Sequence, residues 1–246
     1  MGIDGKRKVL RPRPAPLLAL FDIDGTLVRR AGSTHRDALV VAVRKALGVE
    51  TRNDNIALHG KLDHDILMEM MAHAGVARRR AQAALPRICQ IAERYYLRRV
   101  PDLRRKACPG VRRLLRRLRQ RAAVVGLVSG NLSRIGWKKL ARAGLRHCFD
   151  FGAFAEMAPT RIELAGLALA EAAERGWVHG KSAGVLIGDT PNDIEAGRAH
   201  GLHTIAVATG LCSMEELREC RPTLCVPDLS HPAVSEWFST VLLKSR

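Results

Sequence analysis

The stretch from Leu18 to Val28, Leu-Ala-Leu-Phe-Asp-Ile-Asp-Gly-Thr-Leu-Val, restricts the fold more than any other. A continuous apolar run suits a strand buried on both faces, as in a parallel sheet, and here it ends in two carboxylates followed by glycine and threonine that turn the chain. Asp22 and Asp24 therefore sit together where a strand becomes a loop, one able to face a reacting centre and the other to exchange a proton with a leaving group. Carboxylates packed this closely repel unless a proton or cation neutralises them, and an all-oxygen ligand set favours a hard divalent ion such as Mg2+. Asp-x-Asp-Gly also occurs as a plain turn, so the stretch needs support from elsewhere. A calcium loop does not fit, because no bidentate acid follows at the required spacing and the flank is an apolar strand.

The same plan recurs far downstream. Val185-Leu186-Ile187 runs into Gly188-Asp189, and Asp193 follows as a helix opens. Asp189 is placed to hold a metal, with Asp193 orienting the ion or its waters, although each acid alone would also serve as a helix cap. Between these stretches, Ala122 to Val128 is a short β-branched run ending in Ser129-Gly130-Asn131, where a hydroxyl and backbone N–H groups at a helix start can bind a phosphate oxygen. Phe149-Asp150-Phe151 forms another short strand, Pro159-Thr160-Arg161 opens an alanine-rich helix, and Gly201 to Val207 supplies a fifth strand. Ser213 with Glu216 makes a capping box for a last short helix, and Leu224-Cys225-Val226 and the tail close the structure. Alternating strands and helices predict an α/β, Rossmann-like three-layer sandwich on a parallel sheet, with ligands bound beyond the strands' carboxyl ends.

Residues 29–106 follow another rule, with helical apolar spacing throughout. Leu39, Val40, Val43 and Leu47 fit a helix starting near Ser33; Ile66, Leu67 and Met70 fit a second with Asp63 as its N-cap; Ile88, Ile91, Tyr95 and Tyr96 fit a third. The expected organisation is a core of 17–28 and 107–246, an all-helical insertion over 29–106, and a disordered basic arm over 1–16.

The formal charge of +17 comes from stretches such as Arg112-Arg113 and Arg116-Arg117, which alternate with Leu114, Leu115 and Leu118. That spacing makes the arginines the wet side of an amphipathic helix. A basic surface attracts polyanions, so nucleic-acid binding is a rival reading, but few aromatics are present to stack bases. The six cysteines include no Cys-x-x-Cys pair and are expected as reduced, buried thiols rather than zinc ligands. No apolar run reaches the length of a membrane span, and no signal-peptide pattern opens the chain. A cytoplasmic protein, monomeric or homodimeric, is the expectation.

Asp22-Ile23-Asp24-Gly25-Thr26-Leu27 resembles the first motif of the haloacid dehalogenase-like hydrolases, in particular their phosphatases, which carry an acid in both places. Ser129-Gly130-Asn131 resembles their second motif and the Gly188-Asp189 to Asp193 stretch their fourth. The resemblance implies a Mg2+-dependent phosphomonoester hydrolase of phosphoglycolate phosphatase type, acting on a small phosphorylated metabolite through an aspartyl-phosphate. It implies Asp22 as nucleophile and Asp24 as the acid and base, its pKa raised by closure of a helical cap. The ion would rest on Asp22, Asp189 and the Asp24 backbone carbonyl, and Ser129 would bind phosphate. Arg161 best matches the family's basic residue, usually lysine, with Lys138 or Lys139 as alternatives. His59-Gly60-Lys61-Leu62-Asp63 resembles a cap loop of the phosphoglycolate phosphatase-like members, in which Lys61 would reach an anionic substrate. A nucleotide phosphatase and a phosphosugar mutase are the alternatives within the family.

Overall fold

The computed structural model describes residues 17–29, 32–52, 56, 60–178 and 183–244. The basic arm over 1–16 and His59 lie outside the described residues. The chain runs β1 (Leu17–Phe21), α1 (Thr34–Leu47), α2 (Asp63–His73), α3 (Arg78–Arg99), α4 (Val111–Gln120), β2 (Val124–Ser129), α5 (Ser133–Ala143) and β3 (Phe151–Phe154). It continues through α6 (Arg161–Glu174), β4 (Ala183–Gly188), α7 (Pro191–Ala199), β5 (His203–Val207), α8 (Met214–Glu219), β6 (Leu224–Val226) and α9 (Pro232–Lys244).

Among the described residues the strands form one parallel sheet, ordered β3-β2-β1-β4-β5-β6. All five residues of β1 are buried, as expected of a central strand covered on both faces. Alternation divides them: Leu17, Ala19 and Phe21 join the apolar cluster under α4, α5 and α9, while Leu18 and Leu20 join the one under α6. Phe21 pairs with Leu127 on one side and Ile187 on the other, so the three central strands end level and release Asp22, Ser129 and Asp189 at one edge. The strand order reverses between β1 and β4, the crevice where parallel sheets take ligands.

The insertion is helical, as its apolar spacing predicts: α3 packs against both α1 and α2. It leaves and re-enters the core at one point, where Val28 pairs with Ala107 and the Arg29 amide donates to the Lys106 carbonyl at 2.7 Å. Gly48 ends α1 and Gly144 ends α5 in the left-handed conformation that glycine adopts without strain.

Four local expectations change. Asp63 is the first residue of α2 rather than its cap; Leu62 occupies the cap position, and the Asp63 carboxylate turns into the protein. The β3 strand lies further along than Phe149–Phe151, because the Cys148 turn is a single 3-10 turn that delays it. The helix capped by Ser213 is not the last: α9 follows, burying Val234 and Phe238 against the sheet. The arginines of α4 are also not simply solvated, since Arg113 donates to the Ser230 carbonyl and Arg117 to Ser239 Oγ, tying α4 to the α9 end of the fold.

All six cysteines are free thiols. No helix among the described residues is long and apolar enough to cross a membrane.

Candidate active site

The site is assembled where β1, β2 and β4 end. The Asp22 amide donates to the Ile187 carbonyl at 2.9 Å, which carries the ladder one residue past β1 and fixes the direction of its side chain. The carboxylate is 5% exposed and accepts from Arg161 Nη2 at 2.5 Å. Arg161 stands at the first turn of α6, whose start is set by Thr160: its hydroxyl accepts the Glu163 amide. The guanidinium also donates through Nε (2.8 Å) and Nη2 (2.5 Å) to Asp193 Oδ1. Thr190 Oγ1 donates to the other Asp193 oxygen at 2.7 Å while capping α7. One buried arginine therefore spans two carboxylates, a task for a planar fork that a lysine's point charge performs less well.

Asp189 is fully buried and accepts from Thr26 Oγ1 at 3.2 Å. Burial, followed by repulsion from Asp22 and Asp193, pushes its carboxyl up to about 9. Burial also drives Asp22 up to about 7, where Arg161 opposes the rise and Asp193 and Asp24 add to it. A β-carbon on residue 25 would lie 2.1 Å from Asp189 Oδ2, and one on residue 210 only 1.6 Å away. Gly25, with φ +87°, and Gly210 thus leave the space in front of this oxygen that any other residue would fill.

Asp24 sits on the opposite rim. Its Oδ2 accepts from Lys139 Nζ at 2.5 Å and from Asn131 Nδ2 at 2.8 Å. Burial acts to raise this carboxyl, but the Lys139 ammonium, His35 and these two hydrogen bonds outweigh it and hold it below the usual carboxylate range. The sequence-based expectation was a raised Asp24; the structure corrects it, and the reason is the buried Lys139.

Ser129 is fully buried, with its hydroxyl accepting from Asn131 Nδ2 at 2.8 Å and from the Asn131 amide at 3.4 Å. The Asp63 amide donates to the Gly130 carbonyl at 2.7 Å, so the insertion's 60–63 loop rests on the turn after β2. Lys61 pairs with Glu69 on the adjoining helix.

These groups surround a cavity of about 410 Å³. Of the residues singled out from the sequence, Asp22, Asp24, Gly130, Asn131, Arg161, Asp189 and Lys61 line it; Ser129 and Asp193 do not, and stand behind Asn131 and Arg161. From the insertion come Ser33, His35, Arg36, Leu39, Asp63 and Ile66, and from the loop after β5 come Thr209 and Leu211. Sequence reasoning assigned no part of the site to His35 or Asp63, because each reaches it only through tertiary contact. Lys139 entered only as an alternative to Arg161; it occupies a separate position, beside Asp24.

The donor set fits a hard divalent ion. Asp22 and Asp189 bring oxygen ligands whose repulsion a cation would offset, and the glycines keep Asp189 Oδ2 approachable. No three acidic, histidine or cysteine side chains among the described residues enclose an ion by themselves.

A Rossmann-like sheet with buried acids at its carboxyl edge defines an α/β enzyme with a carboxylate-centred site. The family model of the haloacid dehalogenase-like hydrolases matches residues 17–201. The phosphoglycolate phosphatase of Synechococcus elongatus is 31% identical over 204 residues, covering 80% of this chain and 86% of the relative. Among solved structures, β-phosphoglucomutase from Clostridium difficile shares the fold with a TM-score of 0.67 at 18% identity, covering 92% of this chain and 97% of that one. CbbY from Rhodobacter sphaeroides, solved with phosphate, gives 0.65 at 17%, with 88% and 96% covered. The chain belongs to the haloacid dehalogenase-like hydrolase family, among its phosphatases.

Proposed function

We propose that the protein is a Mg2+-dependent phosphomonoester hydrolase of phosphoglycolate phosphatase type, acting on a small phosphorylated metabolite through a phosphoryl group carried on Asp22. The observation that carries this reading is the convergence of Asp22, Asp24, Asp189 and Arg161 on one cavity at the carboxyl edge of the sheet. The 31% identical relative is named a phosphoglycolate phosphatase, which supports the substrate class.

Asp22, Asp189 and the Asp24 backbone carbonyl would hold the Mg2+. When bound, the ion supplies positive charge that favours the ionised form of Asp22 and offsets charge on the phosphoryl oxygens. Asp22 attacks phosphorus in line; the new Asp22 O–P bond forms as the bond to the ester oxygen breaks. Asp24 gives the departing alkoxide a proton, then takes one from the water that cleaves the acyl phosphate, which restores Asp22 and releases phosphate. The contacts that keep Asp24 ionised prepare it for the second step, and it must carry a proton into the first. Arg161 aims Asp22 and offers charge to the phosphoryl group, Asp193 and Thr190 hold Arg161, and the Gly130–Asn131 turn supplies donors to phosphate oxygens.

Residues 29–106 act in this reading as a cap that excludes water and meets the part of the substrate beyond the phosphate. Phosphate release from a panel of phosphomonoesters, with and without Mg2+, tests the proposal. Metal-dependent turnover of at least one small ester is expected, and no release from any member, phosphoglycolate included, would contradict it.

A further inference from the structure

Lys139 is the least expected group at the site: a lysine on α5 that is 1% exposed. An ammonium has three protons to donate, and here each has an acceptor. One goes to Asp24 Oδ2 at 2.5 Å, one to Asn131 Oδ1 at 2.5 Å, and one to His35 Nδ1 at 3.1 Å. Because Lys139 can only donate, His35 Nδ1 accepts, so the ring proton lies on Nε2. That nitrogen donates to Asp63 Oδ2 at 3.0 Å. Asp63 is itself buried, and the same oxygen accepts the Leu132 amide at 2.8 Å, immediately before α5.

The result is a chain of hydrogen bonds that diverges from Lys139, to Asp24 on one side and through His35 to Asp63 on the other, running through side chains of four separate elements. Asp63 on α2 and His35 on α1 belong to the insertion; Lys139 on α5 and Asp24 after β1 belong to the core. Of the three Lys139 acceptors, only His35 comes from the insertion. If the insertion lifts away, the ammonium loses that acceptor and the Leu132 amide loses Asp63. Seating the insertion therefore completes the set of contacts that orients the Asp24 carboxyl.

We infer that Lys139 is a positioning residue for Asp24, and that His35, held by Asp63, makes this positioning depend on the seated helical insertion. The inference rests on the proposed reaction, in which Asp24 moves the proton. Arg161, which holds Asp22 and Asp193 across the cavity, has no part in it.

The test compares steady-state phosphate release by the full chain with that by Lys139→Met, His35→Leu, His35→Asn and the Lys139→Met/His35→Leu double variant. Lys139→Met is expected to lower kcat by about 100-fold with KM changed less than about 3-fold, since it acts on the proton-moving group rather than on substrate binding. His35→Leu is expected to lower kcat by about 10-fold, while the His35→Asn amide oxygen still accepts from Lys139 and recovers most of that loss. Residues acting as one unit are non-additive, so the double variant should be no slower than Lys139→Met alone. A kcat for Lys139→Met within about 3-fold of wild type, losses that multiply, or a His35→Asn variant as slow as His35→Leu would each overturn the inference. If Lys139→Met does not fold, the comparison of the two His35 variants decides. If the wild type releases no phosphate, it is the proposed function that fails. The link is then read from hydrogen exchange at the Leu132 amide, which His35→Leu should accelerate; an unchanged rate would overturn it.

Discussion

Arg161 and Asp22 lie 139 residues apart in the chain and meet through a single 2.5 Å hydrogen bond, Arg161 Nη2 to Asp22 Oδ1, with both side chains almost wholly buried. The same guanidinium binds Asp193, so one cation compensates two acids. A buried pair of this kind is more costly to break than to keep, because removing one partner strands the other's charge.

Arg161→Met should therefore destabilise the fold by about 3–5 kcal/mol, leaving Asp22 and Asp193 buried and unpaired. Arg161→Lys retains a charge but not the fork, and should keep most of the stability while lowering kcat by about 10–100-fold. Chemical denaturation and steady-state kinetics on the two variants separate the contributions. Equal stability loss in both would contradict the bidentate role.

The raised Asp22 and Asp189 carboxyls predict how stability varies with pH. In the folded chain they hold protons up to about 7 and about 9, whereas unfolded carboxyls release them near pH ~4. The folded state thus binds more protons across this window. Their contribution is complete below pH ~4 and is lost as pH rises through 7 and 9. Thermal melts in chelator should show Tm falling between pH 5 and 9, with Asp189→Asn falling less. Added Mg2+ should raise Tm most at the alkaline end, where the carboxylates bind it without first losing protons.

Gly210→Ala would place a β-carbon against Asp189 Oδ2, so the carboxylate or the loop after β5 must move. Overpacking of this kind costs about 1–3 kcal/mol. The more specific effect expected is a higher Mg2+ requirement, at least about 10-fold, seen by titrating the metal against turnover. An unchanged metal requirement would remove Asp189 from the ligand set.

Phe238 on α9 is fully buried and meets Trp237 edge-on at 4.9 Å between centroids. Phe238→Ala should cost about 3–5 kcal/mol, measurable by denaturant unfolding, while leaving kcat near wild type because no residue of α9 lines the cavity.

What the sequence discloses and what it conceals follow from distance along the chain. Asp22 and Asp189 are legible because each is announced locally, by an apolar run that stops at a carboxylate and a glycine. Arg161 is legible from its place at a helix start, although its bond to Asp193 is not. His35, Asp63 and Lys139 carry no such sign: on their own helices they look like surface polar residues, and only packing of the insertion on the core brings them within hydrogen-bonding range. The same blind spot explains Asp24. An acid raised by closure of the cap is what the resemblance implies, and the lysine that reverses it is 115 residues away. The α9 helix was legible in principle, since Val234, Trp237, Phe238 and Val241 recur at helical spacing.

The central claim is that phosphorus passes through Asp22, and the direct measurement is acid-quenched turnover followed by mass spectrometry of the peptide that contains it. A phosphoryl group on Asp22 during turnover with Mg2+, absent in Asp22→Asn together with activity, is the predicted result. Turnover that leaves Asp22 unlabelled and survives Asp22→Asn would contradict the account.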